Sequence, residues 1–388
     1  MARTSVRLAA LTAFLTVVVA PLAMSGGGVS AAAADRGAKP PANDAAAKGL
    51  VMRDLRKADR GPCKGGYDVL RHPGLCTPGP DAAPEGVDVR AAQPGGGKNT
   101  TGGGKKTGPS PSPTVSPTVS PTVSPTASPT VSPTTSPTSS PTASPSPSAT
   151  STAPVSTSPR CGTDGNRVQA VYAVASDVAD SYAALLPSLQ RWAAVADDVF
   201  ARSAVETGGV RRIRYVTDES CNPTVLKVVL SPTGDDSLSN TITELRAAGL
   251  DRQDRKYMVW VDSNVYCGIG TIKGDDRPGA DNANNFGPSF GRTDRACWGG
   301  QTEAHELMHN IGGVQLSAPH STGAWHCTDE YDRMCYRENN ATMSYVCPQE
   351  HDALFDCRHD DYYSTSPLSG TYLATHWNAA SSVFLAAS

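Results

Sequence analysis

Apolar and polar positions along the chain separate stretches of different character. Leu8 to Met24 is one apolar run, preceded by Arg3 and Arg7 and broken by Pro21. Periodic order begins near residue 160. Arg167–Ala175 reads as a strand, and Leu189, Trp192, Val195, Ala196 and Val199 fall on one face of a helix over Leu185–Thr207. Strands at Arg211–Thr217 and Val225–Leu230 follow, then a short helix near Leu238–Ala248 and an apolar strand from Tyr257 to Val261. A Gly/Asn/Asp-rich loop over 268–291 leads to a helix over 301–311, and the tail from Tyr372 to Leu385 reads as mostly helical. The order predicts an α/β domain of α+β type: a twisted mixed sheet, one functional helix, and a loop-rich, disulfide-stapled C-terminal part.

The remaining stretches predict the domain organisation. Residues 1–34 have the form of a secretory signal peptide, with small residues Ala31 to Ala34 offering a cleavage site. The apolar run falls short of the roughly 20 residues a membrane span needs, so no stable anchor is expected after signal removal. Residues 35–96 form a small polar segment with one loop from Cys63 to Cys76. It has too few apolar residues to fold without help, and reads as a pro-region or a surface appendage. From 97 to 159 the chain is glycine-rich and then a Ser/Thr/Pro repeat of the type Ser116-Pro117-Thr118-Val119. Proline at that density removes amide donors and favours extended backbone, which predicts a disordered, spacer-like linker. The main domain is then 160–388.

Cysteine usage and charge narrow the function classes. Two cysteines, Cys63 and Cys76, precede the linker and eight follow it, from Cys161 to Cys357. Even numbers on both sides suit disulfides closed within each part, hence a secreted, extracellular or cell-wall-associated protein. Cys327 with Cys335 is a plausible near-neighbour pair, although eight cysteines alone do not dictate connectivity. Residues 1–159 carry 15 basic and 8 acidic side chains (+7), and residues 160–388 carry 19 and 29 (−10), giving −3 overall. An acidic main domain argues against nucleic acid as partner. It is compatible with structural calcium, for which Asp329-Glu330-Tyr331-Asp332 and Asp360-Asp361 are candidates, beside the plainer reading of a solvated acidic face.

The segment His305-Glu306-Leu307-Met308-His309-Asn310-Ile311-Gly312-Gly313 carries the chemistry. Histidines four apart on a helix share one face, about 6 Å apart, so both can grip one metal ion. Glu306 then sits beside the metal without ligating it, placed to act as general base and later as general acid. Gly312 allows the chain to turn sharply off the helix. No Cys-x-x-Cys pair offers a rival cysteine site.

With Gly312 included, the motif resembles the long zinc-binding motif of the metzincin metallopeptidases, and the stretch from Trp298 to Cys357 resembles a secreted bacterial zinc endopeptidase of that kind. The resemblance implies a zincin-type fold, Zn²⁺ as cofactor, His305 and His309 as ligands, and Glu306 as the catalytic acid/base. It also implies a third ligand three residues after the glycine, where this chain has Gln315. An imidazole is the better zinc ligand, so His320 is expected in that role, with His326 and then Asp329 as alternatives. The family's methionine turn has two counterparts, Met334-Cys335-Tyr336 and Met343-Ser344-Tyr345. The first is preferred, making Tyr336, or else Tyr345, the expected donor to the oxyanion. Since some metzincin prodomains cap the metal with a cysteine, Cys63 and Cys76 are candidates for that role, but a disulfide between them is the simpler expectation. The implied function is hydrolysis of protein or peptide substrates. Two other readings stay open: an inert zincin scaffold used for binding or adhesion, and a zinc hydrolase of peptidoglycan.

Overall fold

The structure, a computed structural model, describes residues 50–92, 94 and 160–388. The expected signal peptide at 1–34 and linker at 97–159 lie outside those residues. The N-terminal segment contributes three short strands, β1 (Leu55–Lys57), β2 (Tyr67–Val69) and β3 (Cys76–Thr77), in one antiparallel sheet. The main domain runs β4 (Arg167–Ala175), α1 (Tyr182–Glu206), β5 (Arg212–Ile213), β6 (Val225–Leu230) and α2 (Leu238–Ala247). It continues through β7 (Arg255–Val261), β8 (Gly268–Gly270), β9 (Ser289–Asp294) and α3 (Gln301–Asn310), and closes with β10 (Leu385–Ala386).

Five strands form the central sheet in the order β6-β4-β7-β9-β8. The first four are mutually parallel, and β8 runs antiparallel to β9 at the edge. Both faces are covered, as parallel strands require. Along β4, Val168, Ala170, Tyr172 and Val174 pack with α1 and α3, while Val171 and Ala173 pack on the α2 side. The period of 2 is therefore preserved even though every residue of the strand is buried. The expected α/β order and mixed sheet are what the chain forms.

Two expectations are corrected. The stretch 268–291 is not one long loop, because it holds β8 and the start of β9. Its Gly268-Ile269-Gly270 sequence gives no strand signal, yet a Cβ at either glycine would run into the Glu306 carboxylate. Glycine here permits close approach of strand to helix. The tail is not helical beyond two short 3-10 turns, Tyr372–Ala374 and Ala379–Ser381, and it ends in β10, where Leu385 pairs with Ile213. Between the turns, Trp377 N donates to Asp276 O at 2.7 Å and Asn378 Nδ2 donates to Ser364 O at 2.7 Å. Tertiary partners replace the i to i−4 ladder there.

Five disulfides join all ten cysteines: Cys63–Cys76, Cys161–Cys221, Cys267–Cys297, Cys327–Cys335 and Cys347–Cys357. This suits a non-cytoplasmic compartment. Among the described residues no helix is long and apolar enough to cross a membrane.

The N-terminal segment lies against the main domain. Ala58, Cys63 and Cys76 share a small buried cluster with Ile272 and Trp325, and Val69 and Leu75 join the core on the α2 side. Cys76 bridges antiparallel to Ile272, Ile272 N donates to Cys76 O at 2.8 Å, and Asp81 N donates to Gly268 O at 2.9 Å. The chain from Cys76 to Asp81 therefore runs beside β8, leaving strand geometry after Thr77 and touching the sheet through one backbone hydrogen bond near each end.

Candidate metal centre

Helix α3 is fixed at both ends. Glu303 accepts from Gly300 N at 2.6 Å and from the Trp260 indole N–H at 2.6 Å, which ties the first turn to β7 in the sheet. Gly300 has φ +100°, and a Cβ there would lie 2.5 Å from Val195 Cβ, so only glycine fits between α1 and α3. After the last turn, Gly312 takes φ +94°, and the Trp377 indole donates to Ile311 O at 2.8 Å. The turn off the helix is thus packed as well as permitted.

On this helix His305 and His309 face the same point. The third ring there belongs to His326, and the three Nε2 atoms stand 3.0, 3.1 and 3.3 Å from one another. Nitrogens about 2.0–2.1 Å from a tetrahedral zinc stand about 3.3 Å apart, so the triangle is close to that required. Each outer nitrogen has an acceptor. His305 Nδ1 lies 2.9 Å from Arg333 O, His309 Nδ1 3.2 Å from Gly313 O, and His326 Nδ1 2.9 Å from Glu338 Oε1. Donating through Nδ1 sets the tautomer and leaves the Nε2 lone pairs facing the centre. Three lone pairs pointed at one another repel unless a cation lies between them. Burial favours the neutral ring: it pushes His305 down to about 4, partly opposed by Asp81, and, with its two neighbouring histidines, holds His309 well below its ordinary value.

A fourth donor comes from the N-terminal segment. Asp81 Oδ2 is 3.2 Å from His305 Nε2 and Oδ1 is 3.7 Å from His326 Nε2. Asp81, His305, His309 and His326 are all buried and offer ligand atoms within 4.8 Å of one another. This buried group can hold a metal ion.

Glu306 lies beside it, fully buried, its carboxyl against that of Asp81 and with no other hydrogen-bond partner. Burial first, and the charge of Asp81 second, push its carboxyl well above the ordinary range. Of the two neighbouring carboxyls Asp81 keeps the charge and Glu306 the proton. Tyr336 donates to Asp81 Oδ1 at 2.7 Å, and its ring centroid is 4.1 Å from that of His326. Burial and the charge of Asp81 keep the Tyr336 phenol protonated.

His320, the expected third ligand, does not reach the pair. Its Nδ1 faces Asp361, 3.1 Å from Oδ2, at a separate group of side chains that also includes Asp329. His326 takes the place at the helix because the Cys327–Cys335 disulfide and the contact from Nδ1 to Glu338 fix its backbone and its ring. Gln315 occupies neither position. Its amide donates to Gly312 O at 2.9 Å and Lys273 O at 3.1 Å, so it braces the turn. Tyr345 is 71 % exposed and stacks edge-on with Tyr331, away from the histidines. Asp81 was not anticipated at all. Nothing near it in sequence marks a ligand, and its partners lie more than 200 residues along the chain.

No family model matches the sequence, and neither does any curated protein. Metalloproteinase-II from Bacteroides fragilis is a structural neighbour at 13 % identity and TM-score 0.23, covering 50 % of this chain and 56 % of that one. A chaperone–substrate complex is another, at 14 % identity and TM-score 0.20, covering 49 % of this chain and 35 % of that one. The chain thus spans about half the length of the first neighbour. Overlaps this partial carry no functional argument.

Proposed function

We propose that the protein is a secreted zinc-dependent endopeptidase, described here in a self-occluded form. His305, His309 and His326 would hold the metal, and Asp81 fills the position that a water or a substrate would need. Zinc bound there supplies a Lewis acid that brings the pKa of water from about 15.7 down to roughly 7. Glu306 is the group able to take a proton and return it to a leaving amine. Its buried carboxyl, with no partner but Asp81, is the feature a binding scaffold would have no reason to keep. Tyr336 is a protonated donor at the same place, suited to an oxyanion once Asp81 leaves.

The observation favouring a peptide substrate is the course of the chain from Cys76 to Asp81. It passes beside β8 with one backbone hydrogen bond at Ile272 and one at Gly268, and leads to the three histidines. An extended substrate polypeptide would take the same course beside the β8 edge, pairing its backbone with the sheet. Residues 35–96 would then be a pro-region whose carboxylate caps the site, a role in which neither Cys63 nor Cys76 is free to serve.

The test is to incubate zinc-loaded full chain carrying Asp81→Ala with casein and with peptidoglycan. The expected result is cleavage of casein and intact peptidoglycan. Solubilised peptidoglycan with intact casein would overturn the substrate class, and tight binding without turnover of either would establish the scaffold reading instead.

A further inference from the structure

His320 did not join the helix pair, but it is not an idle surface histidine. Its Nδ1 lies 3.1 Å from Asp361 Oδ2, 3.6 Å from Asp360 Oδ1 and 3.8 Å from Asp329 Oδ2. The four side chains offer one nitrogen and three carboxylate oxygens, all within 4.8 Å of one another. Three carboxyls thus gather on one imidazole. Arg358 stands only at the margin, its Nε 3.8 Å from Asp360 Oδ2.

A second observation points to a ligand. Asp329 is 2 % exposed, its Oδ2 faces the His320 ring, and its Oδ1 has no hydrogen-bond partner. Asp360 Oδ1, also facing His320, is likewise buried and partnerless. Partnerless carboxylate oxygens are costly to bury unless something cationic completes them. The side chains of His320 and Asp360, 27 % and 30 % exposed, leave one side open to solvent as a path in.

The remaining members are held in place by the backbone. Asp361 Oδ1 accepts from His320 N at 2.8 Å, and Thr328 N donates to His320 O at 2.8 Å. Asp329 bridges in parallel to Ser344. Asp332, beside them in sequence, is committed elsewhere, accepting from Met334 N at 2.8 Å and Tyr362 O–H at 2.6 Å.

We propose that His320, Asp329, Asp360 and Asp361 form a second metal site, separate from the histidine triad, that binds a transition-metal dication such as Zn²⁺ or Mn²⁺. Calcium is coordinated by oxygen, and an imidazole among the donors selects against it. The role is structural. The site clamps residues 320–329, which carry His326, to the 360–361 turn, so occupancy here steadies the third ring of the triad from six residues away.

Metal content of the full chain tests this directly. Metal-stripped protein is dialysed separately against Zn²⁺, Mn²⁺ and Ca²⁺, then against metal-free buffer, and bound metal is counted by mass spectrometry. With Zn²⁺ or Mn²⁺ the parent should retain two equivalents, and His320→Ala and Asp360→Asn one each. A His305→Ala/His309→Ala double variant should retain the other equivalent and still gain thermal stability on adding metal, a gain that disappears when His320→Ala is added. Asp360 is partly exposed, so its variant keeps the test interpretable if His320→Ala folds poorly. One equivalent in the parent, or two in both single variants, would overturn the proposal, and retention of Ca²⁺ alone by the double variant would overturn the cation class.

Discussion

Full chain carrying Asp81→Ala, loaded with zinc, is expected to hydrolyse an unfolded protein substrate at least about tenfold faster than the parent, a difference of about 1.4 kcal/mol or more in the population of open sites. The reason is local. Asp81 places a charged carboxylate 3.2 Å from His305 Nε2, takes the Tyr336 O–H, and adds to the effect of burial in raising the Glu306 carboxyl. Removing that carboxylate frees the fourth position, frees the phenol, and lowers the Glu306 carboxyl from the raised value that burial and Asp81 together give it. The main-chain contacts of the Cys76–Asp81 segment with Ile272 and Gly268 remain, so the gain should grow when the chain is cut between residues 97 and 159 and diluted. A variant that keeps the parent's melting behaviour and its low rate, before and after cutting, would show that Asp81 does not hold the site closed.

The second large effect is expected at Glu306. In the Asp81→Ala background, Glu306→Gln should leave zinc content unchanged and lower turnover by about 10²–10⁴, the usual cost of losing a general base. Glutamine is nearly isosteric and fits against the glycines of β8, so the α3 helix should keep its place. The measurement is the rate of peptide release at fixed metal content. Equal rates in the two proteins would remove Glu306 from the chemistry.

The parts of the site that could be read from the chain are those encoded locally. His305, Glu306 and His309 are set by helical spacing, and Gly312 by the turn it must make. The third ring was legible only as a choice among residues after that turn. His320 comes first after the turn, whereas the decisive contacts of His326 come from Cys335 and Glu338, nine and twelve residues downstream of it. The adjacency of His326 to Cys327 was the available sign. Asp81 left none, because its place depends on a backbone hydrogen bond to Gly268 of β8, and β8 is itself hidden in a glycine-rich stretch. The fold shows the same division. The apolar strands β4 and β7 and the amphipathic α1 follow from their periodicity, whereas the irregular tail is shaped by Asp276 and Ser364, which no local pattern reveals.

The central claim is that His305, His309 and His326 together hold a catalytic metal. Crystals of the zinc-loaded full chain, measured on both sides of the zinc absorption edge, test it most directly. The account predicts an anomalous peak about 2.0–2.1 Å from the Nε2 atoms of those three residues, with the Asp81 carboxylate completing the set in the parent. Full occupancy of zinc elsewhere with no peak among the three rings, or a peak on His305 and His309 completed by a residue other than His326, would contradict it.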